Sequence, residues 1–159
     1  MHSLQSQCSS DLELQESLCQ RILYHSNRPE LFSSSSGIRI TKVTPGRAEG
    51  ELTISETSLN PHGYVHGGCL TTLADTVAGT AVSSWGRPCV TVNCSMDFFS
   101  PAKGKKIFCS AVPQKVGKTI CVYQCALTND HGEHIGNGNF TFFLLDGGIP
   151  DAPKQKSGA

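Results

Sequence analysis

Several features that would assign this chain to other classes of protein are missing from its 159 residues. Lys and Arg number 13 and Asp and Glu number 13, so the chain lacks the basic excess that is typical of nucleic-acid binding. It has no apolar run of about 18 residues, so no membrane-spanning helix is expected. The first 20 residues contain no apolar stretch of the kind that directs secretion. We therefore expect a cytoplasmic protein with no nucleic-acid partner and no membrane association.

Disulfide and metal frameworks are also missing, although cysteine is plentiful. Eight cysteines are present, and no two of them form a C-x-x-C pair. Because most lie within apolar segments, we interpret them as reduced thiols that pack as small hydrophobic residues. The pairs His62 and His66, and His131 and His134, have spacings that can suit a metal, but neither belongs to a recognisable zinc-site pattern. We therefore expect no bound metal.

The N-terminal region is predicted to be a helix followed by a linker, together residues 1–36. Residues 9–25 show an apolar period of three to four, which is typical of a helix with one buried face. Ser10 can cap its start, with Glu13 as the partner in a capping box. The serine run at 33–36 is interpreted as a flexible connector.

Six segments alternate apolar and polar residues as half-buried strands do, and one helix interrupts them. The strands are predicted at 37–44, 48–55, 89–99, 106–115, 119–129 and 135–145, and the helix at 67–85. In the fifth strand the alternation places Ile120, Val122, Gln124 and Ala126 on one face. Hairpin-linked strands form antiparallel sheets, and an inserted apolar helix has to cover the sheet. We therefore predict an α+β domain over 37–146, a curved antiparallel sheet wrapped around one central helix, with a flexible tail at 147–159.

The start of the central helix is predicted to bind an oxyanion. It opens at Gly67-Gly68, and none of the usual capping residues Ser, Thr, Asp or Asn directly precedes it. Free N–H groups at a helix start carry partial positive charge, and glycine lets a ligand approach the backbone closely. Such groups suit the oxyanion that develops on a carbonyl under attack. The alternative is that His66 is an ordinary turn residue and the glycines only permit a sharp bend.

Asp75 is the only charged residue of this helix. A lone carboxylate in a buried helix is costly unless it is paired or functional. It can activate water as a general base or attack a carbonyl directly as a nucleophile, and the sequence does not choose between the two. A serine nucleophile is not expected, since no G-x-S-x-G motif is present. The alternative for Asp75 is a structural carboxylate bonded to a neighbouring strand.

The spacing of these two features predicts that the chain works as an oligomer. Gly67 and Asp75 are eight residues apart, which is about 12 Å along a helix axis. Within one chain they cannot both touch the same carbonyl carbon. If both act, a two-fold interface has to bring Gly67 of one copy to Asp75 of another, which creates two shared sites.

The same residues carry a resemblance to a known family. Asn60 to Asp75 reads N-x-x-G-x-x-H-G-G-x(6)-D, and a second segment, Phe98 to Ala102, reads F-F-S-P-A. Together they resemble the signature of the hotdog thioesterases of the phenylacetic-acid-degradation (PaaI-like) type. The resemblance extends over about residues 37–146 and implies the hotdog fold. It explains neither the N-terminal helix nor the tail.

This resemblance implies hydrolysis of acyl-CoA to a free acid and coenzyme A by a homodimer or homotetramer, without a metal or cofactor other than the coenzyme A of the substrate. By position it implies catalytic roles for Asn60, His66, Gly67, Asp75 and Thr91. Asn60 would position water or the carbonyl, and Thr91 would hold the water or the carboxylate. His66 would orient the loop or lie near the thioester sulfur.

Three further residues are weaker candidates for substrate binding. Gly68 can add a second N–H beside that of Gly67. Lys103 and Lys105 lie in a turn and can meet the phosphates of coenzyme A, although a solvated turn is the alternative.

Two other functions remain to be weighed. Enoyl-thioester hydratases of similar fold keep a histidine five residues after the aspartate, but here that position is Thr80. A non-catalytic acyl-CoA-binding hotdog protein is the other alternative, because a fold alone does not imply catalysis. Release of free thiol from acyl-CoA distinguishes an enzyme from a binder.

Overall fold

Three helices and six strands are found in the computed structural model, which describes residues 2–152, with side chains from residue 11 onward. The helices are His2–Ser26 (α1), Phe32–Ser35 (α2) and Gly67–Ser83 (α3), and a 3-10 turn covers Glu56–Ser58. The strands are Ile38–Thr44 (β1), Arg47–Thr53 (β2), Cys89–Phe98 (β3), Lys106–Val116 (β4), Ile120–Asn129 (β5) and His134–Leu144 (β6). The predicted central helix and all six predicted strands are confirmed to within two residues. None of the described helices is long and apolar enough to cross a membrane.

The six strands form one antiparallel sheet in the order β1-β2-β4-β5-β6-β3. The sheet curves around α3, which contacts every strand. The predicted α+β hotdog fold with an extra N-terminal helix is therefore confirmed. However, not every two strands that follow each other in the sequence form a hairpin. β3 lies beside β6 at the far edge, so residues 99–105 cross from that edge to the middle of the sheet.

The core lies between α3 and the inner face of the sheet. Leu73, Ala74, Val77 and Ala81 recur at helical spacing and are completely buried there. Burial of a Leu or Val side chain contributes about 1.5–3 kcal/mol, so this face fixes the helix firmly on the sheet. A Cβ added to Gly50 of β2 would lie 2.7 Å from Val77, so glycine is needed for the close approach of strand and helix.

The sequence alternation leaves open which face of β5 is buried. The buried side chains are Cys121, Tyr123, Cys125 and Leu127, whereas the alternate set that begins at Ile120 lies on the outer face. Both sets are largely apolar, so alternation alone does not distinguish them, and the register with β4 and β6 decides. All seven cysteines whose side chains are described are free, as expected. Cys8 lies outside the described side chains.

The N-terminal region is more ordered than predicted. α1 begins at His2, so Ser10 lies inside the helix and does not cap it. The expected connector at 33–36 is mostly the short helix α2, in which Ser35 and Ser36 donate side-chain hydrogen bonds to Phe32 O at 2.9 and 2.8 Å. Asn27 fixes the end of α1 to β1, since its side chain both donates to and accepts from the backbone of Ile40.

Part of the predicted flexible tail contacts α1. Asp151 forms an ion pair with Arg21, and Pro150 O lies 3.0 Å from Nε2 of His25. This segment therefore packs on the N-terminal helix. Residues 153–159 lie outside the described part of the chain.

Candidate active site

The loop that leads into α3 is shaped by Asn60. Its Oδ1 accepts hydrogen bonds from the backbone N–H groups of His62 and Tyr64, at 2.9 and 3.2 Å. The backbone of Asn60 also donates to Tyr64 O at 2.7 Å, and Val65 donates to Ala102 O at 3.0 Å. The carboxamide oxygen is thus committed to the loop. Only the Nδ2 group of Asn60 remains available to position water or a carbonyl.

α3 is capped by His66, which corrects the expectation of an uncapped start. Nδ1 of His66 accepts a hydrogen bond from Gly68 N–H at 2.8 Å. Gly68 is therefore not available as a second donor in this arrangement. Gly67 N–H donates to no acceptor in the described part of the chain, and a helix start leaves this group without an intrahelical partner. Of the two glycines, Gly67 alone presents a free amide hydrogen.

Phe98 lies against Gly67, a contact that sequence reasoning missed. A Cβ added to Gly67 would stand 3.3 Å from the Phe98 ring, which is tighter than most such contacts. The ring therefore borders the free amide, yet 46% of the side chain is exposed in the single chain. The F-F-S-P-A segment carries this residue, but alternation along a strand does not reveal which helical residue it faces.

Asp75 and Thr91 are in direct contact. Thr91 Oγ1 donates to Asp75 Oδ1 at 2.7 Å, so the two positions that the family resemblance marked are neighbours here. A β-bulge between Thr91 and Asn93 sets the strand register, and Thr91 pairs with Phe142 on the inner side. The hydrogen bond fixes one carboxylate oxygen and leaves the other free to react.

Asp75 is less buried than expected. It lies beside the edge strand β3, away from the completely buried face of α3, and in the single chain it is only half-buried. Two cavities open onto it, one of about 580 Å³ toward Ser83 and one of about 520 Å³ toward Thr72. Gly67 lines neither cavity. The single chain therefore does not bring Gly67 and Asp75 to one cleft.

β3 forms an edge of the sheet with apolar side chains exposed. It pairs with β6 on one side and with no other strand of the described chain on the other. Val90 and Val92 are 48% and 59% exposed. An edge strand of this length with exposed apolar residues is a template for pairing with another chain.

The two candidate lysines occupy different surroundings. Lys103 places Nζ 4.5 Å from the centre of the Tyr64 ring, so it lies beside the loop that precedes Gly67. Lys105 donates its backbone N–H to Asp130 at 3.0 Å, which lowers the pKa of that carboxyl group. Lys103 is thus near the start of α3, whereas Lys105 belongs to the turn beside Asp130.

Other reactive groups near the site do not suit catalysis. Burial raises the pKa of the Cys89 thiol to about 11, so at neutral pH it remains protonated and is a poor nucleophile. Among the residues with described side chains, no three His, Cys, Asp or Glu groups are close enough together to hold a metal ion. The reactive groups that the structure offers are the Gly67 amide and the Asp75–Thr91 pair. An amide donor and a carboxylate can together polarise a carbonyl and deliver water to it.

Comparison with known proteins points in the same direction. The pattern that defines the thioesterase superfamily matches residues 62–135. A mouse protein named acyl-coenzyme A thioesterase 13 is 30% identical over 113 residues, which cover 63% of this chain and 81% of the mouse protein.

Two solved structures share the fold over most of their length. The PaaI protein of the phenylacetic acid degradation operon of Escherichia coli superposes with a TM-score of 0.76 and 26% identity, covering 84% of this chain and all of that one. A hypothetical thioesterase of Streptococcus pneumoniae, solved with coenzyme A, gives 0.69 and 27% identity, covering 80% of this chain and 97% of that one.

Proposed function

Because the chain belongs to the thioesterase superfamily, we propose that it hydrolyses acyl-CoA thioesters to a free acid and coenzyme A at a site shared by two copies. The mouse relative is named an acyl-coenzyme A thioesterase, and a structural neighbour was solved with coenzyme A. The observation that carries the proposal is the contact between Thr91 and Asp75, which holds a carboxylate ready at an open cavity.

The reaction needs a polarised carbonyl and an activated oxygen nucleophile. Gly67 N–H of one copy donates to the thioester oxygen, and this donation stabilises the negative charge that develops there. Asp75 of the other copy takes a proton from water, or attacks the carbon itself before water releases the acid. A carbon–oxygen bond forms, the carbon–sulfur bond breaks, and coenzyme A leaves as the thiol. No step requires a metal.

Two observations support the shared site. Gly67 and Asp75 are eight residues apart on one helix, about 12 Å along its axis, and Gly67 lines neither of the two cavities described at Asp75. The exposed edge of β3 offers a surface on which a second copy can add its own β3. Two-fold pairing there would give a homodimer with two sites, and pairs of dimers would give a homotetramer.

The remaining candidates act around this centre. His66 holds the helix start in place through Gly68, and Asn60 shapes the preceding loop, which leaves its Nδ2 group available to position water or the carbonyl. In this proposal Lys103, which lies beside the loop that precedes Gly67, binds a phosphate of coenzyme A, and Lys105 supplies a second cation. Free cysteines agree with a reducing compartment such as the cytoplasm.

The hydratase alternative lacks its acid–base residue. Position 80 is a threonine whose hydroxyl donates to Thr76 O at 2.7 Å. A non-catalytic acyl-CoA binder remains distinguishable by assay, because it would bind acyl-CoA without releasing thiol.

Active-site complementation tests the shared site. Asp75→Asn removes the carboxylate. Gly67→Pro removes the amide hydrogen, and proline is well tolerated at the first position of a helix. His66 has φ −62° and ψ 135°, a conformation that a following proline allows. Each variant alone should be inactive. Mixed from the unfolded state, they should regain about a quarter of wild-type activity, since half of the dimers then hold one intact site of two.

The matched control mixes Asp75→Asn with Asp75→Ala, which leaves no intact carboxylate in any dimer and should recover nothing. If the Asp75→Asn and Gly67→Pro mixture also recovers nothing, although mixed dimers are detected by mass, then the two groups do not act across an interface.

A further inference from the structure

The larger cavity at Asp75 continues along α3 away from the carboxylate. It begins at Asp75 and Thr91 and reaches Ser83 and Cys89, whose side chains approach to 3.9 Å. Asp75 and Ser83 are eight residues apart, so this path is about 12 Å long. An acyl group whose carbonyl is attacked at Asp75 has this space beside it.

The outer wall of the cavity comes from segments outside the stretch that matches the superfamily. Ile22 and His25 of α1 line it, together with Ile149 and Pro150. The two segments are held together by the contact of His25 with Pro150 O and by the ion pair of Arg21 with Asp151. Ser26 Oγ also lies 3.3 Å from Thr80 Oγ1, which fixes the end of α1 over α3. The cavity is thus bordered at its far side by parts of the chain that the superfamily pattern does not include.

Gly79 lies on the floor of this cavity, one helical turn beyond Asp75. Glycine inside a helix is less stable than alanine by about 1 kcal/mol. Packing within the chain does not require it, because an added Cβ would meet only the Phe142 ring, at an ordinary 3.4 Å. The space above Gly79 is therefore kept free for something other than the chain's own side chains.

We propose that the acyl group lies against Gly79 and that α1 and the 149–151 segment limit its length, so that the enzyme selects medium-chain over long-chain acyl-CoA. This inference rests on the proposed function. A path of about 12 Å accommodates roughly eight to ten carbons beyond the thioester before the acyl chain reaches α1 and the 149–151 segment.

A chain-length series tests this assignment. Thiol release from butyryl-, octanoyl-, dodecanoyl- and palmitoyl-CoA is measured for the wild type and for Gly79→Leu, Gly79→Ala and Ile22→Ala. The wild type should prefer octanoyl-CoA to palmitoyl-CoA by about tenfold or more in kcat/KM. Gly79→Leu should lower the octanoyl to butyryl ratio by about tenfold, and Gly79→Ala should lower it less. Ile22→Ala opens the far end and should raise the dodecanoyl to octanoyl ratio.

Gly148→Leu is the control, because a Cβ at Gly148 meets nothing within 4 Å and the residue does not line the cavity. Its chain-length ratios should equal those of the wild type. Ratios within one variant do not depend on how much of it is folded, so loss of stability does not mimic the effect.

The outcomes separate the two proposals. If the chain-length ratios of both Gly79 variants equal those of the wild type, this inference is wrong, but the thioesterase function still stands. Absence of thiol release from every acyl-CoA by the wild type would overturn the proposed function, and the inference with it.

Discussion

The two faces of α3 meet different environments. The face with Leu73, Val77 and Ala81 is completely buried against the sheet of its own chain. The opposite face carries Gly79 and Asp75, the only charged residue of the helix, and is only half-covered. The first face stabilises the fold through burial, at about 1.5–3 kcal/mol for each large side chain. The second holds a carboxylate and a helix-interior glycine that the isolated fold does not need. These two residues are expected on a face that binds a ligand and a second copy of the chain.

The largest expected effect comes from Asp75→Asn on the open face. The amide keeps the shape of the carboxylate and can still accept a hydrogen bond from Thr91, but it cannot accept a proton from water or attack a thioester. Loss of a general base typically lowers turnover by about 10²–10⁴-fold. We expect kcat for acyl-CoA hydrolysis to fall by that amount in a steady-state assay of thiol release.

The fold should be insensitive to this change, because Asp75 is half-exposed and its one described hydrogen-bond partner remains. Thermal unfolding of Asp75→Asn should therefore match that of the wild type. Near-wild-type turnover would instead mean that Asp75 is a structural carboxylate, and the open face would then lack its catalytic group.

The next largest effect is expected at Gly67, where two variants distinguish loss of the amide hydrogen from the addition of a side chain. Both Gly67→Ala and Gly67→Pro place a Cβ 3.3 Å from the Phe98 ring, but only proline removes the N–H. Removal of one oxyanion donor costs about 10²–10³-fold in kcat. We expect that loss for proline and a much smaller loss for alanine, measured with the same acyl-CoA. Equal losses would assign the effect to crowding of Phe98 and would remove Gly67 N–H from the mechanism.

The buried face of α3 was easier to predict than the open one. Its period of three to four residues reports burial within one chain, and the structure confirms it. The neighbours of the open face depend on long-range register, so only the family resemblance marked Thr91, and its contact with Asp75 required the bulge in β3. The cap by His66 was missed because histidine is not among the preferred capping residues.

The walls of the large cavity were not predictable for a different reason. Periodicity indicated that α1 has a buried face, and Ile22 does lie on it, but not that this face closes a cavity at Asp75. The contact of Pro150 with His25 joins residues 125 positions apart, in a segment whose polar, proline-containing composition is typical of disorder. Composition describes average behaviour, whereas this contact depends on one ion pair and one backbone carbonyl.

The smallest expected effect concerns His66, which caps the N-terminus of α3. His66→Ala removes the acceptor of Gly68 N–H, and loss of an N-cap typically lowers the free energy of unfolding by about 0.5–2 kcal/mol. His66→Asn supplies a new acceptor at the capping position and should restore most of that loss in urea unfolding. If the imidazole acts only as a cap, turnover should recover in His66→Asn together with stability. Recovered stability with turnover still reduced would show that the ring itself contacts the thioester, and equal stability of all three proteins would show that the Gly68 hydrogen bond does not hold the start of α3.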